Sequence, residues 1–147
     1  MQRILLLLAL VAATVFGVSE IRGQDADFVV IVHVDNPTES IEPRTLSKMF
    51  LKKVKRWPDD TPVVVLDQDD DNEVRSAFSR AIHKKSVSAI KSYWQRLLFS
   101  GRAVPPDELP SDADVIARVA AEVGAVGYVS PDAELGEGVK ILPVSEK

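Results

Sequence analysis

Residues 62–83 read PVVVLDQDDDNEVRSAFSRAIH, and this stretch decides the fold. Pro62 to Leu66 is a short β-branched apolar run after a turn-forming pair of aspartates, the pattern of a buried strand. From Asn72 to His83, Val74, Ala77, Phe78, Ala81 and Ile82 recur at helical spacing and form one stripe. A buried strand joined through a polar turn to an amphipathic helix is the repeating unit of an α/β sheet protein.

The same alternation extends in both directions. Phe28 to Val34, FVVIVHV, predicts a strand closed by the Asn36-Pro37 pair. Pro43 occupies a first-turn position, and Leu46, Met49 and Phe50 follow at helical spacing, so a short helix ends near Leu51. The basic stretch KKVKRWPDD over 52–60 reads as a solvated loop. Downstream, a helix is predicted over Val87 to Phe99, with Val87, Ile90, Tyr93, Trp94, Leu97 and Leu98 on its apolar face. SGRAVPPDELP, residues 100–110, carries three prolines and is expected to be irregular. Ser111 and Asp114 form a capping-box-like helix start, and Val115, Ile116, Val119, Ala120 and Val123 give that helix its apolar face before Gly124 stops it. Ala125 to Val129 and Val139 to Val144 read as closing strands.

The chain has 147 residues, 46% of them apolar and 27% charged, with no cysteine and a net charge of -4. This composition excludes collagen, a disulfide-stapled miniprotein and a wholly disordered chain. An acidic balance offers no electrostatic footprint for nucleic acid or an anionic membrane, so neither is expected as a partner. Met1, Gln2 and Arg3 precede an apolar run from Ile4 to Phe16 and then small residues, the pattern of a secretory signal peptide over residues 1–24, with cleavage between 19 and 26. The apolar run is too short to span a bilayer comfortably, so no stable membrane span is expected after cleavage, and the absence of cysteine excludes lipid attachment at the exit. One α/β domain over 25–147 in the periplasm or outside the cell is the resulting expectation.

Catalytic chemistry finds little support. His33 lies in a strand and His83 at a helix end, with no triad, no G-x-S-x-G elbow and no glycine-rich phosphate loop. The acidic run Asp67, Asp69, Asp70, Asp71, Glu73 starts like a calcium loop, but the sixth position is Asn72 rather than glycine and the twelfth is Phe78 rather than glutamate. These acids read instead as a solvated cluster at a helix start. No enzyme, metal or cofactor is expected.

The segments TLSKMFLKKVKRW, VRSAF, SYWQRLLFSGRAVPP and GAVGYVS, in this order, resemble the substrate-binding component of phosphate ABC transporters, a periplasmic binding protein of the two-lobed type. The resemblance runs from about Phe28 to Val144. It implies a single lobe of that fold, with a central mixed sheet and about four flanking helices. It also implies a binding module for transport or sensing, and an anion loop at Gln68, Asn72, Glu73, Val74 and Arg75. In the family an arginine, three residues and then Ser-Gly-Thr meet the phosphate at the helix start. Here the arginine position is Gln68, and the Ser-Gly-Thr positions are Asn72, Glu73 and Val74. The loss of the cation and both hydroxyls, with carboxylates alongside, argues against tight phosphate binding. Arg75 is the nearest cation, placed one turn from Asp71 for an i,i+4 pair. A small anion or other small solute, a second copy of the chain or an exported protein across the cleft face are the expected partners; the alternative function is a protein interaction module that has lost its ligand.

Overall fold

The computed structural model describes residues 27–145; the signal peptide expected over 1–24, with its cleavage expected between 19 and 26, lies outside the described residues. In chain order the elements are β1 (Val29–His33), α1 (Pro43–Phe50), β2 (Val64–Gln68), α2 (Glu73–Phe78), α3 (Val87–Phe99), β3 (Asp107–Leu109), α4 (Asp112–Ala121), β4 (Ala125–Val129) and β5 (Val139–Ile141). The five strands form one mixed sheet in the order β3-β2-β4-β1-β5. β2 runs parallel to both β3 and β4, whereas β1 is antiparallel to β4 and β5. The α/β class and the mixed sheet with four helices agree with the sequence.

Both faces of the sheet are covered, which is why its strands read as unbroken apolar runs rather than alternating ones. On one face Val30, Val32, Val65, Val126 and Tyr128 pack beneath Leu46, Met49, Phe50, Phe78 and Ile82. On the other, Ile31, Leu66, Ala125 and Val129 pack beneath Val115 and Val119 of α4. Val30 and Ile31 point to opposite faces because strand side chains alternate. The first layer centres on a stack of Phe78 on Tyr128, with ring centroids 3.9 Å apart and planes 7° from parallel. Phe50 joins it at 4.7 Å from Phe78.

Two glycines of the GAVGY segment are set by close approach. A Cβ at Gly127 would lie 2.6 Å from Val115 Cγ1, so glycine lets α4 settle on β4. A Cβ at Gly124 would lie 2.0 Å from the carbonyl oxygen of Pro62. The Gly124 carbonyl in turn accepts a 2.9 Å hydrogen bond from the buried Trp57 indole, which ties the end of the basic loop to the start of β4.

Several expectations are corrected. The proline-rich stretch contains β3, paired with β2 in the register Leu66–Asp107, Asp67–Glu108 and Gln68–Leu109. Its prolines flank this three-residue edge strand rather than interrupt it. β2 itself continues two residues past Leu66, which takes Asp67 out of solvent into a buried position. The helix expected over Asn72–His83 is α2 followed by a π-helical turn, Ser79–His83, that ends at Lys84 in the left-handed region with φ 56°. Leu98 and Val123, assigned to apolar faces, are exposed, and so is Ala120. In α3 the buried positions are Ile90 and Trp94 alone, so the helix contacts the rest of the protein along a narrower line than its composition suggests.

Replacing Gly127 with alanine is expected to cost about 1–3 kcal/mol by overpacking. The Gly127→Ala, Val115→Ala double variant is expected to be less destabilised than the two single losses combined, because alanine at 115 removes the clashing methyl. A urea-denaturation cycle measures that coupling; strict additivity would show that the two positions do not meet.

Candidate functional site

The parallel strands β2, β3 and β4 end along the same edge of the sheet. The residues just beyond them meet there: Asn72 to Val74 after β2, Pro110 to Asp112 after β3, and Ser130 after β4. With Gln68 they line an open cleft of about 360 Å³. Ligands of open α/β sheets bind in the crevice outside the carboxyl ends of the strands, and this cleft lies beyond the carboxyl ends of β2, β3 and β4.

The cleft floor is already hydrogen-bonded. Gln68 Nε2 donates to Asp112 Oδ1 at 2.8 Å and to the Tyr128 carbonyl at 3.0 Å. Its Oε1 accepts from Asn72 Nδ2 at 3.0 Å, and the same amide reaches the Pro110 carbonyl at 3.2 Å. Asp112 Oδ1 also accepts the Ser130 backbone N–H at 3.2 Å. A carboxylate of the chain thus takes one backbone amide and one side-chain amide at the cleft.

Arg75 turns away from the cleft. Its Nε lies 3.2 Å from Asp67 Oδ1, its Nη1 lies 3.5 Å from Glu108 Oε1, and it donates to the Gln68 carbonyl. Arg75 and Asp67 are each 3% exposed. The i,i+4 pair with Asp71 is therefore not formed; a guanidinium drawn inside finds its counter-charge on β2 instead. Asp67 also accepts from the Tyr128 hydroxyl, and that hydroxyl takes the Gln68 backbone N–H at 3.1 Å. Burial pushes the Asp67 carboxyl above the ordinary carboxylate range, while Arg75 and the Tyr128 hydroxyl draw it back down. Burial, together with the neighbouring Asp67 charge, raises the Tyr128 phenol far above its usual value, so it stays a donor. Among the described residues no buried side-chain nitrogen or oxygen lacks a partner.

The five residues implied by the resemblance do not share one environment. Gln68, Asn72, Glu73 and Val74 line the cleft, whereas Arg75 lies beneath it. Of the acidic run, Asp67 is internal and Asp70 pairs with Lys91 of α3, which lowers the Asp70 pKa and raises that of Lys91. Asp112 and Ser130, which complete the cleft, were not singled out in the sequence; both are contributed by sheet topology. His83 is set apart, its Nδ1 2.8 Å from Ser47 Oγ and its ring edge-on to Phe78. Burial, assisted by the Arg75 charge, lowers its pKa to about 4.

The model of the PBP superfamily domain, the periplasmic-binding-protein superfamily, matches residues 12–141, and the chain belongs to that family. No curated protein matches the chain. Among solved structures it is similar to a protein of Clostridium perfringens assigned as a phosphate ABC transporter substrate-binding protein and holding phosphate, with 18% identity, TM-score 0.60 and coverage of 80% of this chain and 44% of that one. It is similar to an ABC-type phosphate transport receptor of Vibrio cholerae at 15% identity and TM-score 0.60, over 79% of this chain and 45% of that one. A "possible phosphate binding protein" of Planctomyces limnophilus gives 20% identity and TM-score 0.61, over 84% and 43%. The chain spans less than half the length of each of these structures.

Two outcomes test this geometry. Arg75→Met is expected to destabilise the protein by about 3–5 kcal/mol, since it leaves the Asp67 carboxylate buried and uncompensated. Arg75→Met with Asp67→Leu is expected to recover part of that loss in denaturant unfolding; an Arg75→Met protein as stable as the parent would refute the buried pair. His83 binds its proton in the unfolded chain near pH 6.5 but in the folded protein only near pH 4. The unfolded state therefore holds more protons between these values. Stability contributed by neutral His83 is full above pH 6.5 and is lost as pH falls, by up to about 1.4 kcal/mol per pH unit. His83→Gln is expected to flatten the stability profile between pH 6.5 and 4, and the His83 ring, assigned by its loss in His83→Gln, titrating near pH 6.5 by NMR would contradict this.

Proposed function

We propose that the chain is an exported, non-enzymatic binding module of the periplasmic-binding-protein type, serving transport or sensing, and that its anion loop does not hold phosphate tightly. The observation that carries this reading is the place of Asp112: its carboxylate takes the Ser130 amide and the Gln68 side chain at the cleft where the family's anion loop would meet its ligand. Where the family resemblance calls for an arginine, Gln68 is neutral and committed to internal partners. Glu73 and Asp112 line the same cleft. A carboxylate and an anion held about 4 Å apart repel by about 4 kcal/mol at an effective dielectric near 20, less once salt screens them. An uncharged or hydrogen-bond-donating solute suits this cleft better than phosphate does.

A protein interaction role is a second reading, supported by the end of α3 and the loop after it. Leu98, Phe99 and Val104 are all exposed there, Phe99 to 89%. An aromatic ring left in water at that level is more costly than a scattered aliphatic, and a partner would cover it.

Calorimetric titration of the purified protein with phosphate, sulfate and a panel of uncharged solutes separates the readings. The expected result is no saturable heat from phosphate at micromolar concentration and saturable heat from one of the uncharged solutes. Micromolar phosphate binding that Asp112→Asn strengthens less than twofold would overturn the electrostatic account. Silence with every solute, together with self-association that Phe99→Ser abolishes in sedimentation, would favour the interaction role.

A further inference from the structure

Two hollows at the far end of α2 from this cleft are unexplained by either reading. The first, about 820 Å³, is walled by Phe28, Ala77, Ala81, Ile82, Leu142 and Val144, with Asp27 and Arg80 its only charged lining residues. The second, about 730 Å³, is lined by Ser76, Arg80, Lys84, Lys85, Ser86 and Ser88, with Val87 the remaining wall and no carboxylate. Both volumes lie within the roughly 300–1,000 Å³ of small-molecule sites. Arg80 lines both, so an apolar trough and a cationic, hydroxyl-bearing bowl adjoin across one side chain.

The charges in the bowl are uncommitted. Arg80, Lys84 and Lys85 are exposed, and none of them makes an ion pair among the described residues. Other exposed cations, Lys48 and Arg96 among them, are also unpaired among the described residues; what distinguishes Arg80, Lys84 and Lys85 is that they line one hollow that has no carboxylate. The left-handed Lys84 ends the π turn and returns the chain into α3, which brings Lys84 and Lys85 round to the side of Arg80.

We propose that these adjoining hollows bind an anionic amphiphile, a molecule with a single alkyl or acyl chain and a phosphate or carboxylate head. The tail lies in the trough against Phe28, Ile82 and Leu142, and the head meets Arg80, Lys84 and Lys85 with serine hydroxyls as further donors. Charge-assisted hydrogen bonds from guanidinium and ammonium groups suit such a head. A second copy of the chain suits the bowl poorly, because a two-fold contact centred there would set one cationic cluster against its own image. Inorganic phosphate alone would leave the trough empty. The site is separate from the cleft at Asn72, and its test does not depend on the reading of that cleft.

The experiment is calorimetry on the purified protein with octyl phosphate, dodecyl phosphate, dodecanoate and dodecyl maltoside, each below its critical micelle concentration, and with inorganic phosphate. Burying one methylene is worth about fourfold in affinity, so dodecyl phosphate is expected to bind at least tenfold tighter than octyl phosphate. It is also expected to bind at least tenfold tighter than inorganic phosphate or the uncharged maltoside. The exposed double variant Lys84→Glu, Lys85→Glu is expected to weaken dodecyl phosphate at least tenfold with the fold intact by circular dichroism, and Ala81→Trp to remove the dependence on chain length. Dodecanoate binding as tightly as dodecyl phosphate would assign the head to carboxylates and phosphates alike; weaker binding would assign it to phosphates. Maltoside binding equally well, inorganic phosphate binding equally well, no effect of charge reversal, or no binding at all would each overturn the proposal.

Discussion

The buried ion pair between Asp67 and Arg75 is the constraint on which the cleft end of this protein depends. It joins the last turn of β2 to α2, and its members also hold Tyr128 of β4 and the carbonyl of Gln68. Removing two charges from water is costly, and their mutual attraction compensates only when the remaining hydrogen-bonding positions are filled. Here they are filled by Tyr128, by the Gln68 amide and by Glu108 at the rim. The pair therefore acts as a peg that sets where α2 begins relative to the sheet edge. Everything lining the cleft inherits its position from that relation.

The same peg limits what the cleft can bind. With Arg75 turned inward, its guanidinium serves the fold and supplies no cation to the cleft. The cleft is left with amides, hydroxyls and carboxylates. Gln68 and Asp112 satisfy one another, which makes the network cohesive and removes the strongest free donors from reach of a solute. A solute drawing on the Ser130 amide or the Gln68 side chain must displace the Asp112 carboxylate, and the Ser111 hydroxyl at the rim is itself committed to Asp114. Family membership shows the scaffold, whereas these side chains decide the occupant.

Much of the architecture was legible in the residues because burial on both faces leaves its mark on composition. FVVIVHV, the apolar run after Pro62 and AVGYV became β1, β2 and β4, and α3 spans the residues its periodicity indicates. GAVGY carries a physical message as well, since Gly124 and Gly127 sit where a Cβ would strike Pro62 and Val115. What was hidden was non-local. β3 is a three-residue edge strand with two acids, and nothing in DEL distinguishes it from loop until β2 is beside it. Asp67 looked like one of five solvated acids, and only the two extra residues of β2 place it inside. Asp112 lies in the first turn of α4, a favourable place for any acid, so nothing local marks it out, and its contact with Gln68 requires β3 to lie next to β2.

Charge placement links the two ends of α2. At its start the chain's own acids are neutralised from within, Asp67 by Arg75 and Asp70 by Lys91, so the cleft carries less negative charge than the acidic run suggests. At the far end, within and just past the π turn, Arg80, Lys84 and Lys85 make no ion pair among the described residues. A π turn widens the helix by one residue, and such turns are found often at functional sites. Here the π turn carries Arg80 and leads into Lys84 and Lys85; all three line the bowl, and Arg80 also borders the trough of Phe28 and Leu142. The start of this helix thus offers Gln68 where the resemblance implies a cation, while Arg80, Lys84 and Lys85 gather a few turns away, Arg80 beside an apolar surface. That separation of charge from the cleft is a property of this chain's own residues, and it makes the far end of α2 the more natural place to look for a negatively charged molecule.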